Sequence, residues 1–185
     1  MKACVVYESL FGNTRQVATQ IADGLSRTFD VRVSTTTDTA FEDVASAALV
    51  VVGGPTHAHG LSSPATREAA ASTAEEDPAL ELEGDPASPG LREWVKTMPD
   101  GCGQLAAAFD TRLDKSAIFT GSAAKTVSKR LRRRGYDPLA DPESFRVEDT
   151  EGPLVGTEAE RARAWGEYLA EQCLELARNN SHRRR

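Results

Sequence analysis

The sequence predicts an α/β fold, a parallel sheet wound on both faces by helices. Three observations carry that prediction. "KACVVY" and "ALVVVGGPT" are near-continuous apolar runs of strand length, the pattern of strands buried on both faces. Amphipathic helical stretches alternate with the strand candidates along the whole chain. Both apolar runs give way to loops rich in glycine and hydroxyl residues, "ESLFGNT" and "GGPTHAHGLSS".

The elements follow in order. Residues 2–7 form the first strand. A helix from Thr14 to Ser26 is predicted by Val17, Ala18, Ile21, Ala22 and Leu25 at helical spacing. "DVRVSTT" reads as a second, more exposed strand, "AFEDVASA" as a short helix and residues 48–56 as the third strand. A helix from Pro64 to Ser72 has proline in its first turn. Thr73 to Gly90, "TAEEDPALELEGDPASPG", is acidic and rich in Pro and Gly, and reads as a surface insertion. "LREWVKTM" resumes a helical pattern, "QLAAAFDT" is the fourth strand, and "SAAKTVSKRLRRRG" is a helix stopped by Gly135. "SFRVED" is the fifth strand, with "YDPL" ahead of it as a candidate extension. A last helix runs from Thr157 to Ala177, with Trp165, Leu169, Cys173 and Leu176 on its buried stripe. One domain spans 1–178, and the polar, basic tail 179–185 is expected to fray.

Composition narrows the function classes. The chain has 185 residues, enough for one domain with a full core. Lys and Arg total 22 against 28 Asp and Glu, a net charge of −6, which argues against general nucleic-acid binding. No apolar run approaches the roughly 20 residues that span a bilayer. The N-terminus reads as a strand, not a signal peptide. Cys4, Cys102 and Cys173 are far apart, so neither a disulfide framework nor a zinc site is expected and a reducing cytoplasm is the default location. Cys4 reads as a packing residue, and Cys102, between two glycines, as exposed. Trp94 and Trp165 lie on helical stripes and read as core. The basic run "KRLRRRG" reads as a solvated helix face around Val127 and Leu131, with an acidic protein partner or nucleic acid as the alternatives.

With five strands in the order 2-1-3-4-5, ligands bind at the switch point between strands one and three. The first loop suits an anion there. Ser9 and Thr14 offer hydroxyls, Asn13 an amide, and Gly12 lets the backbone approach closely. The following helix turns its free N–H groups toward the loop. The loop lacks the "GxxxxGK[ST]" and "GxGxxG" patterns, and it holds no Lys or Arg, so neutral donors would carry the anion. The competing reading makes Asn13 or Thr14 a helix cap and Gly12 a turn residue.

"VVYESLFGNTRQVATQIADGL" resembles the flavodoxin N-terminal signature. The likeness continues through "LVVVGGPTHAHGLSSP" and "AAAFDT" to the terminal helix. It implies a flavodoxin-like three-layer fold binding FMN non-covalently, with Ser9, Leu10, Phe11, Gly12, Asn13 and Thr14 around the phosphate. It also implies that Pro55, Thr56, His57, His59 and Gly60 line the isoalloxazine, and that Asp110, Thr111 and Arg112 approach the ring from the third loop. Arg112 would offset charge on the reduced ring or pair with Asp110 or Asp114. Phe11 departs from electron-carrier flavodoxins and resembles WrbA-type quinone reductases and the flavodoxin modules of flavo-diiron proteins. The second loop lacks the family's stacking Trp or Tyr. "HxH" with no third ligand nearby does not make a metal site. The resemblance implies a flavoprotein exchanging electrons with redox protein partners. The alternatives are an NAD(P)H:quinone reductase and a flavin-free binding module. No residue is assigned a catalytic role of its own, since the flavin would carry the chemistry.

Overall fold

The strands line up by their apolar runs. In the computed structural model, which describes residues 1–57, 60–115 and 121–183, β1 (Lys2–Tyr7) lies between β2 (Asp30–Thr35) and β3 (Leu49–His57), all parallel, with Val5 beside Val33 and Val51. β5 (Leu105–Leu113) runs parallel to β3 on its other side, Val51 beside Ala107. The predicted fifth strand is split. β6 (Asp137–Pro138) pairs the foot of β5, and β7 (Glu143–Val147) pairs its upper half. The candidate extension "YDPL" thus supplies β6, and Pro142 marks the interruption before β7. The principal order is the predicted 2-1-3-4-5, with the fifth place shared. The seventh strand is β4 (Gly60–Leu61), which folds back antiparallel on the end of β3 and turns the second loop into a hairpin. Its two residues are too few to show as an alternating pattern.

Two cores sandwich the sheet, because alternate side chains of each strand face opposite sides. On one face, Val5, Leu49, Val51, Phe109 and Phe145 meet Val17, Ile21 and Leu25 of α1 (Asn13–Leu25) and Trp165 and Leu169 of α6 (Glu158–Arg183). On the other, Cys4, Val6, Val50 and Val52 meet Val44 of α2 (Phe41–Ser46), Trp94 and Val95 of α4 (Leu91–Thr97) and Val127 and Leu131 of α5 (Ala123–Arg133). Both tryptophans are therefore packing residues, and burial pushes the Cys4 thiol up to about 11. Cys102 is exposed. α3 (Pro64–Glu76) extends four residues into the segment read as insertion, since its Ala-rich sequence keeps helix propensity there.

The last helix differs from expectation at its end. It continues through the segment expected to fray, as far as Arg183, and Leu176 is exposed because the helix has run past the sheet it packs on. Its start is firmly tied. Glu158 accepts hydrogen bonds from Arg161 (2.7 Å) and the Arg146 N–H (2.6 Å), and the Arg161 guanidinium lies 4.4 Å over the Phe145 ring. Burial raises the Glu158 pKa, but the bonds from Arg161 and Arg146 outweigh it, and the net shift is below the usual 4.5. A lowered carboxylate stabilises above its unfolded value and loses that stabilisation as pH falls through the folded one. Thermal melts of Glu158→Gln should therefore lie below wild type at neutral pH, the gap closing as pH drops below 4.5. A gap that is constant with pH would exclude the linkage.

Of the basic run on α5, Lys129, Arg132 and Arg133 are exposed as expected. Arg130 and Arg134 turn back instead, donating to the Arg92 and Lys96 carbonyls at 3.0 Å and so fastening α5 to α4.

Candidate functional site

β1, β3 and β5 all point their C-terminal ends at one cleft of about 200 Å³. Ser9, Leu10, Phe11, Asn13 and Thr14 form one wall, Pro55, Thr56 and His57 a second, and Thr111 and Arg112 a third. Leu113, Val147 and Thr150 complete it. The structure thus brings residues of all three predicted loops together. Gly60 sits in the hairpin partner strand of His57 rather than in the cleft wall. His59 lies outside the described residues.

The first loop is built around the start of α1. Gly12 is its N-cap, with φ of +86°, a left-handed conformation in which a side chain is strained. No side chain caps this helix, whereas Ser63 and Ser122 cap α3 and α5. The reading of Asn13 or Thr14 as the cap is therefore excluded. The Gly12 N–H donates to Ser9 Oγ at 3.1 Å, which folds the loop back on itself. The Asn13 amide donates to the Glu151 carbonyl at 2.8 Å and so anchors the loop after β7. Thr14 and Thr111 hydroxyls bond each other at 2.7 Å in the buried base of the cleft, joining the first loop to the third.

Asp110 takes a different place from Thr111. It is fully buried, and its Oδ2 accepts from Thr56 Oγ1 (3.0 Å), Ser122 Oγ (2.7 Å) and the Ala124 N–H (2.8 Å). It is absent from the cleft lining and fixes the start of α5 against the second loop. Arg112 is buried in the wall, not on the surface, and donates to the Lys115 carbonyl at 3.2 Å. Burial and then Arg146 lower its pKa, partly offset by Asp110 and Asp114.

His57 carries a buried unsatisfied atom in the cleft wall. Its Nε2 is buried and has no hydrogen-bond partner among the described residues. Burial pushes the imidazole below its usual 6.5, against the upward pull of the Glu8 carboxylate.

Glu8 and its neighbours were not legible as site residues. Glu8 is buried at the end of β1, accepting from Ser62 Oγ (2.5 Å) and from the Leu91 N–H (2.7 Å) at the start of α4. Arg67, also buried, reaches Glu93 at 3.4 Å and the Pro86 carbonyl at 3.1 Å, and Arg92 donates to the Ser62 carbonyl at 2.8 Å. This cluster clamps the second loop to the first. Its only sequence signal was a carboxylate directly after an apolar strand, the same pattern as a solvated turn. The acidic segment is likewise no detached excursion. The Glu83 N–H donates to the Leu10 carbonyl at 2.7 Å, and the Glu83 carboxylate binds Arg15. Arg15 is thereby committed to the strap beside the first loop. No group of His, Cys, Asp and Glu suited to a metal ion occurs among the described residues.

A flavodoxin family model matches residues 5–93, from β1 into α4. This chain has a flavodoxin-like fold. Solved structures share its fold. It superimposes on flavodoxin 2 from Bacillus cereus with a TM-score of 0.66 at 16% identity, covering 93% of this chain and 99% of that one. A flavodoxin from the domain Archaea gives 0.61 at 20% identity, with 94% and 99% covered. A flavodoxin, WrbA-like protein from Agrobacterium tumefaciens gives 0.62 at 13% identity, with 94% and 98% covered. No curated protein matches by sequence. No helix among the described residues is long and apolar enough to cross a membrane.

Proposed function

We propose that the chain is an FMN-binding redox protein that passes electrons between a reductase and acceptor proteins. The observation that carries this reading is the uncapped, glycine-started N-terminus of α1 opening on a cleft walled by three loops. Uncapped N–H groups at a helix start favour a phosphate, and the Ser9 and Thr14 hydroxyls flank them. His57 and Arg112 in the wall would offer polar groups to the edges of a planar ring. The orphaned His57 Nε2 is a buried polar atom that a bound ring nitrogen or carbonyl would satisfy. Bound flavin supplies the electron-accepting chemistry. The residues bind its phosphate, orient the ring and exclude water from one face.

Titration of the purified protein with FMN and with riboflavin tests the reading, followed by fluorescence quenching. FMN should bind at least about a hundredfold tighter, the worth of two or more charge-assisted bonds to the phosphate. Gly12→Ala should lower FMN affinity about tenfold, since the left-handed turn costs an L-residue roughly 1–2 kcal/mol, while leaving riboflavin affinity nearly unchanged. Equal affinity for both ligands would place the phosphate elsewhere, and binding of neither would remove the redox reading.

A second reading, an NAD(P)H:quinone reductase, is favoured by one observation. Among the described lining residues the rings are Phe11 and His57 alone, so no Trp or Tyr covers the cleft. Oxidation of NADH or NADPH by the FMN-loaded protein in the presence of a quinone, with no added reductase, would favour that reading over the carrier.

A further inference from the structure

Resting on the FMN reading, we infer that His57 is the proton acceptor coupled to flavin reduction: it takes one proton from solvent when the bound ring takes two electrons. The geometry supplies the argument. His57 stands at the end of β3, in the cleft wall, held there by the β3–β4 hairpin, with Gly60 opposite it. Its Nε2 is buried yet has no partner among the described residues, whereas the Thr14 and Thr56 hydroxyls in the same cleft are both hydrogen-bonded. An imidazole nitrogen held dry beside a ligand site has one inexpensive way to regain a partner, which is the ligand.

Among the described residues, the charges facing His57 are few. From β1, Glu8 pulls its pKa up, but that carboxylate is already occupied by Ser62 and the Leu91 N–H. From β5, Arg112 shares the cleft wall, and Asp110 is turned away toward α5. The β4 strand brings no titratable group, and neither do Val147 and Thr150 beyond β5. Burial prevails, so the imidazole rests neutral near pH 7. A negative charge arriving on a ring in the same cleft reverses the balance, because an opposite charge within a few ångströms favours the imidazolium.

Two electrons from a reductant and one proton convert the oxidised ring to its anionic reduced form. A second proton from solvent goes to His57 and to no atom of the ring. Below the oxidised-state pKa of His57 the residue is already charged, and reduction takes up one proton. Between its oxidised-state and reduced-state values reduction takes up two. Above the reduced-state value it takes up one again.

Two measurements on the FMN-loaded full chain test this. The first is the midpoint potential as a function of pH, with dithionite as reductant, in wild type and in His57→Gln. Wild type should show a window of two protons per two electrons, and the variant one proton throughout. The second is an NMR titration of the wild-type imidazoles in the oxidised and dithionite-reduced protein, with the His57 resonance assigned by its loss in His57→Gln. Reduction should raise the His57 proton affinity at least about tenfold. Persistence of the two-proton window in His57→Gln would place the second proton on the ring itself and overturn the inference. An unchanged His57 titration in the wild-type protein would overturn it as well, whatever the variant's stability. If FMN does not bind at all, the reading beneath it falls and takes the inference with it.

Discussion

Replacing Gly166 with alanine should lower the stability of the fold by about 3 kcal/mol or more, at the upper end of overpacking effects. A Cβ at Gly166 would stand 2.2 Å from the Ile21 carbonyl oxygen, and one at Gly24 would stand 2.2 Å from the Arg163 carbonyl oxygen. The two helices α1 and α6 thus cross with each glycine seated against the other's main chain. No side-chain rotation relieves such a contact, because both partners are backbone. The helices would have to move apart, loosening Val17, Ile21, Trp165 and Leu169 together. Differential scanning calorimetry should show Gly166→Ala and Gly24→Ala melting roughly 6–12 °C below wild type, the shift that about 3 kcal/mol produces in a domain of this size. Gly60→Ala is the control, since nothing lies within 4 Å of a Cβ there. Its melting temperature should stay within the small range of surface substitutions. Wild-type melting of both helix variants would mean that the crossing is looser than described. Because α1 carries the first loop at its N-terminus, the same variants should weaken FMN binding without touching any residue of the cleft.

Asp110→Ala should cost roughly 3–4 kcal/mol. The side chain accepts three hydrogen bonds in a dry interior, from Thr56, Ser122 and the Ala124 N–H. Alanine leaves those donors buried and unpaired, at about 1–3 kcal/mol each with strong non-additivity. Urea unfolding should show the loss as a lower midpoint at unchanged slope. Asp110→Asn keeps one acceptor oxygen and should lose about half as much. Its FMN affinity should stay within about threefold of wild type, because the carboxylate faces the start of α5 rather than the cleft. A stable Asp110→Asn protein with FMN affinity lowered a hundredfold would instead make Asp110 a ligand contact.

Asp110 also shows where reading the sequence stops. "AAAFDT" identifies a buried strand and the place where it ends, since apolar runs report burial directly. Whether the carboxylate after it faces a ligand or a helix start depends on Thr56, 54 positions earlier, and on Ser122, 12 positions later. The same holds for Glu8, whose partners Ser62 and Leu91 are 54 and 83 positions away. Local pattern shows none of these pairs. The first loop was legible because its chemistry is local: Ser9, Gly12 and the start of α1 sit within five residues. The acidic segment reads from sequence as a surface insertion, and its attachment was not legible for the converse reason. Its composition is that of a solvated loop, and the contacts that tie it down, Glu83 to Leu10 and Arg15 and the Pro86 carbonyl to Arg67, join residues far apart in sequence.

The split fifth strand bears on how crowded a solution the protein tolerates. A sheet ends in two margins, and each is a template on which a foreign strand can grow. Here one margin is cut into pieces of two and five residues, with Pro138 and Pro142, which have no N–H to offer, at the break. The Val155 N–H already bonds the Arg146 carbonyl, and the Glu148 N–H the Pro153 carbonyl, along the upper piece. The opposite margin, β2, exposes the charged Asp30 and Arg32, a device that discourages edge-to-edge pairing. Native molecules at high concentration should therefore remain dispersed.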